Sequence, residues 1–253
     1  MPNRKNLCFA LAAVLTIHSL FIFAKNKPAN STSSVSANAY DVCDGIEKNE
    51  KPANSTADIY ETLHLQQLGL SIEAFTQGVE GYNSLLVSGR LANSNVLSII
   101  DFSKPSASKR LFVIDMKNGK LLFNTYVAHG RNSGREMAKE FSNDAESNKS
   151  SLGFFLTGDT YLGKHGFSLR LLGEEKGIND NANSRAIVMH SAAYVSEEAI
   201  RMQGFAGRSL GCPALPEALN KPIIEKIKNG SCLFLYSPDR YYASHSVILK
   251  KMA

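Results

Sequence analysis

The sequence predicts a mainly β fold, a sandwich or irregular barrel with short helices and a small N-terminal helical annex. The first observation is a series of short apolar runs bounded by Gly, Asn, Asp or Pro, which is typical of strands. The second is a hairpin signal, in which Asn118 and Gly119 separate the apolar runs 111–115 and 121–127. A chain of 253 residues with 43% hydrophobic content is long enough to bury one good core.

The N-terminal end has the pattern of an export segment. Arg4 and Lys5 precede an apolar run from residue 7 to residue 24. A basic start followed by such a run is typical of a signal peptide, and its length also allows an uncleaved membrane anchor. We therefore predict residues 1–24 to be a signal peptide or a membrane anchor, with 7–24 as the tether in the second case. Either reading places the protein in the periplasm or cell envelope.

The next stretch, 25–56, is rich in Asn, Ser, Ala, Lys and Pro and contains the hexapeptide Lys-Pro-Ala-Asn-Ser-Thr twice. A segment with so few apolar residues does not fold by itself, so we predict a flexible linker. Residues 57–105 are predicted to hold the helical annex and the first strand, at 96–102. Two short helices are expected in 57–81, with Ser71 capping the second. Residues 106–253 would form the catalytic domain.

The catalytic domain is predicted to contain further strands and two helices. The strands are expected at 153–157, 168–172, 186–190 and 232–237, and the helices at 196–203 and 216–228.

Composition excludes several functional classes. The formal net charge of +5 is not concentrated in a Lys/Arg block, and the chain has no Trp and no nucleic-acid-binding motif. We therefore expect no nucleic acid partner and only a mild attraction to an anionic polymer. Neither an HExxH motif nor paired metal-binding cysteines occur, so we predict no metal and no cofactor.

Cysteine usage indicates a free thiol. Cys8 lies in the apolar N-terminal run and is lost if that segment is cleaved, which leaves Cys43, Cys212 and Cys232. An odd number of cysteines in an exported chain leaves at least one unpaired. A disulfide between Cys43 and Cys232 is permitted in an oxidising compartment, but the sequence does not decide it.

Cys212 is the candidate nucleophile. It follows Gly211 in a glycine-rich turn, and Arg208 precedes it by four residues. Positive neighbours lower the pKa of a thiol, so we expect a thiolate here. His190, at the end of an apolar run, is the candidate base, and Ser191 is expected to orient it.

These residues resemble a known signature. His190, Ser191 and the string Ser209-Leu210-Gly211-Cys212 are similar to the motif of the YkuD-like L,D-transpeptidases. The stretches 141–143, 149–155 and 157–166 resemble the murein L,D-transpeptidase catalytic domain branch, so the resemblance covers roughly 111–238. It implies an L,D-transpeptidase-like β fold and peptidoglycan stem peptides as the partner. The chain departs from the family pattern at Leu210, where better-studied members have His, and at Ala214, where they have Asn.

The resemblance implies acyl transfer through a thioester at Cys212, with loss of D-Ala from the tetrapeptide stem and passage of the acyl group to an amine. Hydrolysis of the thioester by an L,D-carboxypeptidase and a non-catalytic wall-binding module remain open. The backbone N–H groups of Gly211 and Cys212 are the expected oxyanion donors. The remaining candidates would contact substrate: Arg208, Ser209, His165 and Tyr194.

Overall fold

The computed structural model describes residues 56–250. The predicted export segment, the linker up to residue 55 and Cys43 lie outside the described residues. Within residues 56–250, no helix combines the length and the apolar character that a membrane span requires.

The described residues form eight strands and six helices. The strands are β1 Val96–Asp101, β2 Leu111–Asp115, β3 Lys120–Thr125, β4 Gly153–Gly163, β5 Gly166–Gly173, β6 Val188–Ser191, β7 Ala214–Leu215 and β8 Cys232–Tyr236. The helices are α1 Thr56–Thr62, α2 Ile72–Val87, α3 Glu197–Gln203, α4 Glu217–Ile227, α5 Arg240–His245 and α6 Val247–Lys250.

The strands build one mixed sheet in the order β3-β2-β1-β8-β4-β5-β6-β7. The β1–β8 and β6–β7 pairs are parallel and the other pairs are antiparallel. The sheet curls into a half-barrel. Isolated bridges from Ala128 to Ala214 and from Gly130 to Ser209 connect the residues that follow β3, at one edge of the sheet, to β7 and the turn before it, at the other edge. The prediction of a mainly β fold with short helices is confirmed. The 111–127 hairpin is confirmed as well, because β2 and β3 pair antiparallel.

Helix α2 covers the centre of the sheet. Ser71 is its N-cap, as predicted, and its hydroxyl accepts a hydrogen bond from Ala74 N at 3.3 Å. A Cβ at Gly81 would lie 2.0 Å from the Phe154 ring. Glycine at that position therefore lets the helix lie directly on β4. β1, which we predicted together with the helical annex, pairs with both β2 and β8 in the same sheet.

Several elements differ from the sequence prediction. β4 runs to Gly163 and forms a long hairpin with β5, which places His165 at the hairpin tip. The predicted strand 186–190 begins only at Val188, since Ala186 has a φ of 53° that no strand residue adopts. The two-residue β7 and the C-terminal α5 and α6 were not predicted. The connection 126–152, between β3 and β4, contains no helix or strand and runs to the candidate site.

Candidate active site

Cys212 lies at the end of a tight turn that leads into β7. The Ser209 hydroxyl donates to Cys212 O at 2.6 Å and accepts from Gly211 N at 3.0 Å, so one side chain closes the turn from both directions. Gly211 has a φ of 128°, a conformation that side-chain-bearing residues rarely adopt. The turn that presents Cys212 therefore requires glycine at position 211.

A buried serine ties this turn to the long 126–152 connection. Ser150 Oγ donates to Gly211 O at 3.1 Å and accepts from Gly130 N at 3.0 Å. Ser150 N donates to Ser133 Oγ at 2.8 Å. Since Ser150 is fully buried, losing its hydroxyl would leave backbone groups unpaired.

The sulfur of Cys212 is held by the segment that leads into β6. Val188 N donates to Cys212 Sγ at 3.4 Å, and Sγ lies 3.7 Å from Ala186 O, which accepts from the thiol. Ala186 is a non-glycine residue with a positive φ of 53°, a conformation that costs roughly 1 kcal/mol or more. That strained backbone aims the Ala186 carbonyl at the thiol.

The electrostatics at the thiol differ from the sequence expectation. Burial raises the pKa of the Cys212 thiol, while the Val188 N–H, the charge of Arg185 and the residue's own N–H lower it. The expected lowering by Arg208 is wrong. The Arg208 guanidinium donates instead to Arg131 O at 3.3 Å and Gly134 O at 3.4 Å. Because its pKa is raised, Cys212 rests as a neutral thiol, whereas a thiolate was expected from the sequence.

His190 lies on the strand that pairs with β7. In the parallel register His190 is opposite Ala214, so Cys212 and His190 lie two positions apart across neighbouring strands. His190 Nδ1 is 2.8 Å from Ser191 O. A carbonyl oxygen only accepts, so Nδ1 carries the proton and Nε2 of the neutral ring has the free lone pair. In the described part of the chain, no hydrogen bond joins Cys212 Sγ to this ring.

The tip of the β4–β5 hairpin covers His190. The rings of His165 and His190 stack with centroids 4.6 Å apart and planes inclined by 25°. The Ser191 hydroxyl donates to His165 O at 3.1 Å, so the carbonyl of Ser191, not its side chain, orients His190. Burial lowers the pKa of His190, the Ser191 carbonyl raises it, and the charge of His165 lowers it. The imidazole is thus kept neutral and able to accept a proton.

The other predicted residues surround the turn. Gly211 N–H is already paired with Ser209 Oγ, so it is not a free oxyanion donor in this structure. A Cβ at Gly207 would lie 2.5 Å from the Tyr194 ring, which shows that Tyr194 packs on the glycine-rich turn. Burial, and secondarily the charge of Cys212, raises the pKa of Tyr194 to about 12. Leu210, two residues before Cys212, is 63% exposed.

Arg185 was missed by the sequence reasoning. It lies directly before Ala186, and its guanidinium spans the space between the 126–152 connection and the Cys212 turn. No motif marks it, because its partners are distant in sequence.

Two further predictions concern metals and disulfides. Among residues 56–250, no group of three or more His, Cys, Asp or Glu side chains is arranged to hold a metal ion. Cys212 and Cys232 form no disulfide with each other or with any other described residue, and Cys232 is fully buried in β8. The Cys43–Cys232 disulfide stays a prediction, since Cys43 is outside the described residues.

Comparison with known families defines the class of protein. A family model described as the L,D-transpeptidase catalytic domain matches residues 66–236, more than half of the chain. The chain therefore belongs to the L,D-transpeptidase catalytic domain family, and the resemblance drawn from the sequence is confirmed. No curated protein matches the chain.

Solved structures with a similar fold share little sequence with the chain. An L,D-transpeptidase from Mycobacterium smegmatis is 14% identical with a TM-score of 0.35, and the match covers 56% of this chain and 59% of that one. A helical cell shape determining protein from Campylobacter jejuni is 12% identical with a TM-score of 0.37, covering 70% and 62%. An L,D-transpeptidase from Xylanimonas cellulosilytica is 16% identical with a TM-score of 0.33, covering 70% and 93%.

Proposed function

We propose that this protein is a peptidoglycan L,D-transpeptidase that uses Cys212 as its nucleophile. The observation that carries the proposal is the position of the Cys212 sulfur, which lies between Val188 N–H and Ala186 O on a turn that leads into the strand beside His190. Membership of the L,D-transpeptidase family supports a peptidoglycan-modifying enzyme. The substrate is the tetrapeptide stem, and the enzyme acts in the cell envelope.

In the first step, His190 Nε2 takes the proton of the Cys212 thiol as sulfur attacks the carbonyl carbon that precedes the terminal D-Ala. The neutral states of both groups fit this order, since the proton moves during the attack. Catalytic hydrogen bonds often form only when substrate is bound, which is consistent with the unbonded pair. As the C–N bond breaks, His190 returns the proton to the leaving amine. The products are D-Ala and a thioester at Cys212.

The carbonyl oxygen becomes negative during this attack and needs N–H donors. Cys212 N–H is the donor in our proposal, and Gly211 N–H can contribute only if it leaves Ser209 Oγ. His165 and Tyr194 line the groove, and Arg208 binds the substrate carboxylate. Ser209, which was also expected to contact substrate, instead holds the turn, because its hydroxyl already donates to Cys212 O. The weak contacts of Arg208, at 3.3 and 3.4 Å, leave its guanidinium free to turn toward substrate.

In the second step an acceptor amine attacks the thioester carbonyl, forms an amide and releases the Cys212 thiol. Water in place of the amine gives a tripeptide, which is the carboxypeptidase alternative. The choice depends on how well the groove excludes water while it admits an amine.

The test is mass spectrometry of muropeptides after incubation of disaccharide tetrapeptide with the full-length protein, its Cys212→Ala variant and its Cys232→Ala variant. Cys232 is the matched control, because it is the other cysteine of the described residues and lies inside β8. Dimers that lack one D-Ala, formed by wild type and Cys232→Ala but not by Cys212→Ala, support the transpeptidase. Tripeptide monomers alone identify the carboxypeptidase. Unchanged tetrapeptide in every sample contradicts both and leaves the wall-binding module.

A further inference from the structure

Arg185 joins two segments that are far apart in sequence. Its Nη1 donates to Ser142 O at 2.7 Å and Ser151 Oγ at 2.6 Å. Its Nη2 donates to Ser147 Oγ at 3.1 Å and Lys149 O at 2.8 Å. Both terminal nitrogens of the guanidinium are therefore committed to residues 142–151, the last part of the 126–152 connection.

The same guanidinium lies beside the nucleophile turn. A Cβ at Gly211 would lie 3.6 Å from Arg185 Nη2 and 2.9 Å from Lys149 O, the oxygen that Nη2 binds. The carbonyl of the next residue, Ala186, accepts from Cys212 Sγ. Arg185 thus binds the loop with its guanidinium and directly precedes the residue whose carbonyl accepts from the thiol.

Other charged and titratable groups surround the thiol, but their side chains are engaged elsewhere or neutral. Lys149 forms an ion pair with Glu140 at 2.6 Å. Arg208 binds carbonyls at the start of the 126–152 connection. Asp144 faces Arg185, while Tyr194 and His190 face the thiol region as neutral groups. Among these groups, Arg185 is the cation whose charge acts on Cys212.

We propose that Arg185 is a positioning residue that clamps residues 142–151 onto the Cys212 turn and holds a fixed positive charge beside the sulfur. The inference rests on the proposed function, because that charge matters when the thiol loses its proton to His190. With its terminal nitrogens occupied, Arg185 does not bind substrate. A positive charge near sulfur favours the thiolate. The Arg185 charge therefore offsets part of the increase in thiol pKa that burial causes, which matters when the thiol loses its proton during the attack.

Two variants distinguish the hydrogen bonds of Arg185 from its positive charge. Arg185→Lys keeps the charge but loses the planar fork that makes four hydrogen bonds, whereas Arg185→Gln loses both. A purely structural role predicts that the two variants behave alike at the thiol. A charge role predicts that only Arg185→Gln changes thiol ionisation strongly.

The experiment measures the rate of Cys212 alkylation by iodoacetamide as a function of pH in the full-length protein, with the site of modification identified by peptide mass spectrometry. Removing a neighbouring cation should raise the alkylation midpoint of Arg185→Gln by about one pH unit and slow alkylation roughly tenfold at neutral pH. Arg185→Lys should stay within a few tenths of a unit of wild type, or about twofold in rate. Arg201→Gln, which removes an exposed arginine from α3, is the control and should not shift.

Equal midpoints in wild type and Arg185→Gln overturn the inference, as do equal shifts in the Gln and Lys variants. If Arg185→Gln does not fold, hydrogen exchange in Arg185→Lys decides. Faster exchange of residues 142–151 with a nearly unchanged midpoint supports the clamp, and unchanged exchange overturns it.

Alkylation requires no substrate, so this test is independent of the proposed function. Absence of D-Ala release by wild type contradicts the proposed function even where the alkylation midpoint shifts. Cysteine-dependent D-Ala release without any shift overturns the role of Arg185 alone.

Discussion

The imidazole rings of His165 and His190 stack at 4.6 Å between centroids, which places the tip of the β4–β5 hairpin directly over the proposed base. The Ser191 hydroxyl strengthens this contact by donating to His165 O at 3.1 Å. A side chain from a distant hairpin therefore controls the surroundings of His190.

The first prediction concerns this stack. Burial lowers the pKa of His190, and the charge of His165 lowers it further. His165→Ala removes that charge and opens the ring to water, so the pKa of His190 should rise. NMR titration of the histidine ring signals measures it. His165→Phe is the matched control, because it keeps an aromatic ring over His190 without a charge and should give a smaller rise. An unchanged or lower pKa in His165→Ala would contradict the prediction.

The second prediction concerns the turn glycine. Gly211→Ala combines a φ of 128° with a Cβ 2.9 Å from Lys149 O and 3.0 Å from Ile187 Cδ1. Gly177→Ala has a φ of 77° and nothing within 4 Å of the new Cβ, so it tests backbone strain alone. We expect the free energy of unfolding to fall by about 1 kcal/mol at Gly177 and by about 3 kcal/mol at Gly211. Urea unfolding measures both losses. Equal losses would contradict the prediction, because they would show that Lys149 and Ile187 move away from the new Cβ without cost.

The local elements of the fold could be predicted because their signals are local. Ser71 caps α2 as expected, since a hydroxyl at that position bonds a backbone N–H three residues later. The β2–β3 hairpin follows from the apolar runs around Asn118 and Gly119. β7 escaped prediction because two residues, Ala214 and Leu215, form a strand only by pairing with β6.

The site was predictable in part for the same reason. Cys212 stands out by its neighbouring glycines and His190 by its position at the end of an apolar run. The structure brings β6, which carries His190, beside β7, which follows Cys212. The influence of Arg185 and the positive φ of Ala186 arise from contacts between distant segments. Sequence proximity suggested Arg208 as the cation at the thiol, but tertiary structure directs its guanidinium elsewhere.

The third prediction concerns acid stability. Burial, and secondarily the charge of Arg110, lowers the pKa of His129 to about 4 from an ordinary 6.5. His129 Nδ1 accepts from Arg110 Nη2 at 2.8 Å, so the ring must stay neutral in the folded state. The unfolded chain binds more protons between these two values, so the stability that His129 contributes is present above pH 6.5 and is lost as pH falls toward 4, by about 3 kcal/mol.

His129→Gln keeps an acceptor for Arg110 and removes the titration, so its free energy of unfolding should depend less on pH between about 4 and 6.5. Urea unfolding across this range measures the difference. His245→Gln, which replaces an exposed histidine, is the control for the His-to-Gln substitution itself. Parallel curves for wild type and His129→Gln would show that His129 does not titrate in this way.

The fourth prediction has the opposite sign and concerns Glu175, which joins the C-terminal helices to β4. Its carboxylate accepts from Phe154 N at 2.9 Å, from Tyr242 OH at 3.1 Å and from Ser246 Oγ. Burial raises the pKa of Glu175, and these donors only partly counter it. The folded state therefore holds its proton to higher pH than the unfolded chain does, and the contribution of Glu175 to stability falls as pH rises above the ordinary value of 4.5.

Glu175→Gln cannot ionise at this position. The unfolding free energy of wild type minus that of the variant should therefore decrease as pH rises from 4.5 toward neutrality. Paired urea unfolding of the two proteins at each pH isolates this term, because the histidine contributions cancel. Glu225→Gln, on the exposed side of α4 in an ion pair with Lys228 at 2.6 Å, is the control for the Glu-to-Gln substitution itself. A difference that grows with pH would mean that the donors around Glu175 outweigh its burial and that its carboxylate is ionised in the folded protein.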